Sequence, residues 1–280
     1  MNFNDSQGVR GLWLSLALLT LTSSLTTFAQ TATSAVPKQA DNEYQEGSIL
    51  WTQSSGEARA LAYQAFTLAR MMLDRDLRLN RRSRMRRAIV VDVDETVLDN
   101  SRYQAMLVKN RQNYDAQSWT AWVNRKEAAA IPGAVEFLRY AASRGVRVFY
   151  ITNRKLLEKE ATAANLKNLG VPDVNDQTLL VRTDANSSSK EARRQAVSAK
   201  YRIVLLMGDN LNDFAKLFEN SKTVADRVAA VEQNKERFGT RFIALPNAMY
   251  GDWESAIYDY NLNLTEEEKA AKRKILLKSY

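Results

Sequence analysis

Asp92 and Asp94 stand two positions apart in the stretch AIVVDVDETVLDNS, residues 88–101, where an apolar run delivers both carboxylates into a turn that also carries Thr96. Carboxylates so placed suit phosphoryl transfer: one attacks phosphorus, and the other protonates the leaving oxygen and then activates water. The chain has no Cys and no His. Thiolate phosphatases, phosphohistidine enzymes, Ser-His-Asp hydrolases and His-ligated zinc or di-iron phosphoesterases are therefore excluded. What remains is carboxylate chemistry, with a hard, oxygen-ligated cation to neutralise phosphate charge.

Other polar groups sit where further apolar runs end. VFYITNR ends at Thr152 and Asn153, and IVLLMGDNLND ends at Asp209 and Asp213; Lys190 follows three serines, Ser187, Ser188 and Ser189. Asp92 is the expected nucleophile and Asp94 its acid/base partner. Asp209 is expected to join Asp92 and a backbone carbonyl around Mg²⁺, with Asp94 and Asp213 as further candidate ligands. Lys190, Thr152 and Asn153 are expected to hold the equatorial phosphoryl oxygens, helped by backbone donors of a helix that starts after Ser189. Taken singly, each feature has a bland reading: Asp92-x-Asp94 as a solvated turn, Lys190 as a solvated helix lysine. Four such features at successive run ends favour one site.

These residues need a scaffold that gathers run ends. Five short apolar runs, centred on 88–92, 147–152, 178–182, 202–208 and 241–245, are separated by helical patterning or by one long insertion. Apolar strands alternating with helices predict an α/β fold, a Rossmann-like parallel sheet covered on both faces. In such sheets ligands bind beyond the carboxyl ends of the strands. A long amphipathic helix is expected from the cap SSGE at Ser54 to about Leu79, with Leu61, Ala65, Leu68 and Met72 on its apolar stripe. The segment 103–130 reads as a small helical insertion that, with the N- and C-terminal segments, makes an appendage able to shape a pocket. Thr265 and Glu268 form a capping box for a last helix.

The N-terminus has a cationic start ending at Arg10, an apolar stretch from Leu12 to Leu21, and Thr27-Phe28-Ala29 before Gln30. It reads as a secretory signal peptide over 1–29, followed by a flexible leader over 30–48 and a folded domain over 49–280. A periplasmic or secreted protein is expected. Formal net charge is +8, which favours anionic partners without naming them. Six arginines fall within RLNRRSRMRR, residues 78–87; with no interleaved aromatics they read as a solvated linker, and no nucleic acid partner is expected.

The stretches DVDETVLDNSRYQ, SWTAWVNRKEAAAIPGAVEFL, ITNR, VPDVNDQTLLV, VLLMGDNLNDF and LPNAMYGDWE resemble the haloacid dehalogenase superfamily, and within it the bacterial class C acid phosphatases of the outer-membrane lipoprotein e type. The resemblance runs from about Ile49 to Ile257. It implies a Mg²⁺-dependent acid phosphatase and 5′-nucleotidase, with Asp92 as nucleophile, Asp94 as acid/base and Asp209 completing the metal site. It also implies an aromatic clamp around the nucleobase at Trp119 and Tyr250, although Trp119 and Trp122, three apart, equally suit core packing. The lipoprotein members are anchored through an acylated cysteine, which this chain lacks, so no lipid anchor is expected. Small phosphomonoesters, nucleotides foremost, are the expected partners, and a homodimer is left open. Two alternatives stand: a phosphatase for sugar phosphates or other small monoesters, and a non-catalytic surface binder of haem or another flat ligand.

Overall fold

The computed structural model describes residues 42–280 apart from 186 and 262. The expected signal peptide and leader residues 30–41 lie outside the described residues. The remainder of that leader does not match its expectation: a 3₁₀ turn spans Glu43–Gln45 and helix begins at Glu46. The reason is tertiary. The Tyr44 hydroxyl donates to Glu254, and the Arg273 guanidinium lies 3.8 Å over the Tyr44 ring, so distant residues order a segment whose own composition is polar.

In chain order the strands are β1 (Arg87–Val91), β2 (Leu98–Asp99), β3 (Ala129–Ala130), β4 (Arg147–Lys155), β5 (Leu179–Arg182), β6 (Arg202–Gly208) and β7 (Phe242–Ala244). Five of them form a parallel sheet in the order β5-β4-β1-β6-β7, while β2 and β3 pair antiparallel. The five apolar runs of the sequence are the five sheet strands. Register pairs Ile89 with Val148 and Val91 with Tyr150 on one side of β1, and Val90 with Leu206 on the other. After β1 the chain adds β4 and β5 on one side, then crosses to add β6 and β7 on the other. The order therefore switches at β1, the position where a parallel sheet opens a crevice.

The helices are α1 (Glu46–Ser54), α2 (Gly56–Leu79), α3 (Ser101–Lys109), α4 (Ala116–Arg125), α5 (Ala134–Ser143), α6 (Lys159–Asn168), α7 (Glu191–Ser198), α8 (Lys216–Glu219), α9 (Val224–Gln233), α10 (Asp252–Ile257) and α11 (Glu266–Leu276). Alternation along each strand divides the core between two faces. Ile89, Val91, Val148 and Tyr150 pack with Phe66, Ala69 and Leu73 of α2 and Leu138 of α5. Ala88, Val90, Phe149 and Ile151 pack on the other face with Val197 of α7, Phe214, and Phe218 of α8. Each fully buried Leu or Phe contributes about 2 kcal/mol, so both layers hold the strand ends rigidly.

Local signals explain the helix starts. The Ser55 hydroxyl accepts from Ala58 N at 3.0 Å to open α2, and Asp115 accepts from Gln117 N and Ser118 N to open α4. At α11, Thr265 and Glu268 close the expected capping box. The insertion between β1 and β4 becomes α3 and α4, whose Tyr103, Leu107, Trp119 and Val123 form a third small core with Ala161 of α6. Among the described residues no helix is long and apolar enough to cross a membrane.

Candidate active site

The carboxyl ends of β1, β4 and β6 converge on a cleft of about 850 Å³ lined by Asp92, Asp94, Asn153, Lys190, Asp209 and Asp213. Asp92 leaves β1 with its amide still bound to Met207 O at 2.9 Å, which carries strand geometry one residue past the ladder. Beyond it the chain turns tightly: Val97 N and Leu98 N both bond to Val93 O, at 2.9 and 2.8 Å. The turn places Glu95 at φ +55°, a left-handed conformation disfavoured outside glycine. Buried Glu95 is held there by Asn100 N at 2.8 Å and by the Tyr250 hydroxyl, which donates to it.

One half of the site is rich in carboxylates. Asp92, Asp209 and Asp213 present oxygens within 4.8 Å of one another. Lys190 lies among them, buried, its ammonium donating to Asp92 Oδ1 and, at 2.7 Å, to Asp213 Oδ1; it is not a solvated lysine. Burial pulls its pKa down, but Asp213 and Asp92 outweigh that and leave it raised. Desolvation lifts the Asp92 carboxyl well above the usual range; Lys190 opposes this, and Asp213, Asp209 and Asp94 add to it. Asp209, by desolvation first and the Asp213 charge second, is pushed up to about 7 despite a bond from Asn247 Nδ2 at 2.8 Å. Three carboxylates against one ammonium leave the cluster short of positive charge. Hard oxygen donors at this spacing suit a divalent cation of the Mg²⁺, Mn²⁺ or Ca²⁺ kind.

Local packing fixes Asp213. Asp213 closes a capping box in which Asn210 N donates to its Oδ2 at 3.0 Å. A Cβ at residue 208 would meet that same Oδ2 at 2.3 Å and the Asp213 Cγ at 2.6 Å, so Gly208 at the end of β6 is required by close approach.

The other half is rich in donors. Arg154, at the end of β4, donates to Asp94 Oδ1 from Nε at 3.0 Å and from Nη2 at 2.7 Å, with its side chain only 1% exposed. Asn100 Nδ2 adds a bond to Asp94 Oδ1 at 2.9 Å, and Thr152 Oγ1 donates to Oδ2 at 3.3 Å. Asn100 is a hub: its Oδ1 accepts from Trp122 Nε1 at 2.8 Å and from Arg154 Nη2 at 3.3 Å, which uses its full complement.

Of the residues singled out from sequence, Asp92, Asp94, Asn153, Lys190, Asp209 and Asp213 line the one cleft, together with Trp119 and Tyr250. Thr152 is fully buried behind it, its hydroxyl taken up by Asp94 and by Arg154 N at 3.1 Å. Asn153 is exposed, donating to Ser188 O at 2.9 Å and accepting from Arg193 Nη2 at 2.7 Å. Trp119 packs edge-on against Tyr103 with centroids 5.1 Å apart, and the Arg154 guanidinium lies 5.5 Å from its ring. Sequence reasoning missed Arg154, Glu95, Asn100 and Asn247. Arg154 and Glu95 did carry a signal, a charge inside an otherwise apolar or turn motif at a strand end; the two asparagines carried none.

A family model described as HAD superfamily, subfamily IIIB (acid phosphatase), matches residues 13–253. The chain belongs to this family. Among solved structures, the class C acid phosphatase from Bacillus anthracis is 43% identical, with a TM-score of 0.80 covering 85% of this chain and 98% of that one. The same protein with tungstate bound gives the same figures. More distant are the stem 28 kDa glycoprotein of Glycine max, 25% identical over 62% of this chain and 66% of that protein, and acid phosphatase 1 of Solanum lycopersicum, 28% identical over 44% and 50%. The matched regions thus span between half and two thirds of these curated relatives. As a subfamily IIIB acid phosphatase, the chain has its carboxylate cluster at the sheet's switch point and its donor network on the side of the α3–α4 insertion.

Proposed function

We propose that the protein is an exported, Mg²⁺-dependent phosphomonoesterase that acts as an acid phosphatase and 5′-nucleotidase through an aspartyl-phosphate on Asp92. The observation that carries this reading is the clustering of buried Asp92 with Asp209 and Asp213 around the Lys190 ammonium in the cleft, with Asp94 held two residues away.

An Asp92 oxygen attacks phosphorus as the ester oxygen departs, and Asp94 gives that oxygen its proton. The alcohol leaves. Water then attacks the phosphorus of the aspartyl-phosphate while Asp94 takes the water's proton, and inorganic phosphate departs with the Asp92 carboxylate restored. Asp92, Asp209 and Asp213 would hold Mg²⁺, which when bound neutralises charge on the phosphoryl group. Lys190 supplies a fixed positive charge beside the attacking oxygen, and Asn153 offers an amide at the cleft wall. Arg154, Asn100 and Thr152 orient Asp94. Because the first step requires protonated Asp94, kcat is expected to fall as pH rises, which is acid phosphatase behaviour. The tungstate held by the Bacillus anthracis relative is a tetrahedral oxyanion of phosphate shape, in keeping with a phosphoryl site.

For the leaving group, the cleft extends past the carboxylates to Tyr44, Tyr114, Trp119, Tyr250 and Tyr258. Rings that stack suit a nucleoside better than a sugar. Export rests on the Leu12–Leu21 apolar stretch and the small residue Ala29. The test is phosphate release by purified residues 30–280 from 5′- and 3′-nucleotides and sugar phosphates, with Mg²⁺ or EDTA. Metal-dependent release favouring 5′-nucleotides is expected. Preference for sugar phosphates would replace the nucleotidase reading, and no release from any ester would remove the enzyme.

A further inference from the structure

Helix α9 carries Val224, Val228 and Val231 on one stripe; Val231 packs against the core, while Val224 is 36% and Val228 58% exposed. Across a groove from it stand Leu211, Tyr250 and Trp253, the last 42% exposed. Together they bound a cavity of 330 Å³, of the size that takes small molecules. Asp209, Asn210, Tyr250 and Gly251 line both this cavity and the catalytic cleft, so the two abut.

Arg227, also on α9, lines the cavity and is only 6% exposed. Its guanidinium donates to the Tyr260 hydroxyl at 3.3 Å and to Asn210 Oδ1 at 3.5 Å. Both acceptors are neutral, and both bonds are long beside the roughly 2.8 Å of a charge-assisted hydrogen bond. Among the described residues no carboxylate makes an ion pair with it. The nearby acids are otherwise engaged or outside: Asp252 Oδ2 accepts from Asn210 Nδ2 and Asn212 Nδ2, each at 2.8 Å, and Glu232 is exposed at the cavity rim. Among the described residues, every other arginine buried to this degree is better served. Arg154 has Asp94, and Arg194 has Glu191 and Glu219. A buried guanidinium without a counter-charge is costly and is retained where something completes it.

We infer that this cavity is a second ligand site, for a small aromatic anion whose ring lies between the α9 valines and Trp253 and whose carboxylate, sulfonate or phosphate pairs with Arg227. The cavity shares Asp209 and Tyr250 with the catalytic cleft, but Arg227 and the α9 valines, which would hold the ligand, take no part in phosphoryl transfer, so the site does not rest on the phosphatase reading. Its anion would draw Arg227 away from Asn210, the residue that caps the turn holding Asp213.

The test is calorimetric titration of the full chain with naphthalenesulfonate, with the neutral naphthalenemethanol as control. One-to-one binding is expected, about tenfold weaker in Arg227→Gln and in Val228→Glu, while the neutral compound binds wild type and Arg227→Gln alike. Val228 is exposed and lines this cavity rather than the cleft, so Val228→Glu is expected to melt as wild type does and keeps the test open should Arg227→Gln fail to fold. No heat of binding, or equal affinity in wild type and Val228→Glu, would overturn the site. Because the readout is heat and not phosphate release, its failure is distinct from failure of the enzyme.

Discussion

The tripeptide Asp92-Val93-Asp94 divides two regions that solve opposite electrostatic problems. On the Asp92 side, three carboxylates share one ammonium, and burial and mutual repulsion push Asp92 and Asp209 toward protonation. On the Asp94 side, one carboxylate receives a bidentate guanidinium, an amide and a hydroxyl. The first region is underserved and so is built to receive something positive. The second is satisfied, and so is built to hold an orientation. Two chemically identical side chains, two residues apart, acquire different charge environments from what surrounds them.

The largest effect should come from the underserved side. Asp92→Asn is expected to lower kcat by about 10³-fold or more without lowering the melting temperature, because it removes one of several crowded carboxylates; measured activity near wild type would end the nucleophile assignment. The satisfied side should behave in reverse. Arg154→Met leaves Asp94 and Asn100 short of a buried partner and is expected to cost about 3 kcal/mol of stability in a denaturant titration, while Arg154→Lys, which keeps charge but loses the fork, should cost less and chiefly lower kcat.

A third prediction sharpens the comparison through pH. Asp209 has a folded pKa of about 7, raised above its unfolded carboxylate value. Between those two values the folded state binds more protons than the unfolded one, so stability from this group is full in acid and is lost as pH rises through about 7. Without divalent cation, the melting temperature should therefore fall from about pH 4 to about pH 8, and Asp209→Asn should flatten the slope. Adding Mg²⁺ at the upper end should restore stability by mass action; no shift on addition would count against the cation site. The smallest effect belongs to a region outside both. Arg81, Arg82 and Arg84 are exposed, and replacing all three with Gln should leave kcat unchanged and stability within about 0.5 kcal/mol.

Much of this was legible in the chain. The five apolar runs could be read as strands because strands buried on both faces leave an unbroken hydrophobic signature, and the long α2 was legible because its cap and its period agree. Polar residues where such runs stop were legible as a site for the same reason: a carboxylate at the end of a buried strand has few structural uses. Lys190 was not decidable alone, since a lysine opening a helix looks the same whether it points to water or to Asp92. Residues 43–48 looked like leader because their order comes from Glu254 and Arg273, more than two hundred positions away.

The sequence by itself narrowed the class of chemistry. With no Cys and no His, thiolate and imidazole chemistry were excluded, and the DxD spacing pointed to a carboxylate pair. The tertiary structure alone decided which aspartate is crowded and which is clamped, that Arg154 does the clamping, that Thr152 faces inward and Asn153 outward, and that Arg227 is buried without a counter-charge. Composition and local period are properties of the chain and can be read along it. Charge environment is a property of distance in space, set where β1, β4 and β6 end together, and it exists only once the sheet has formed.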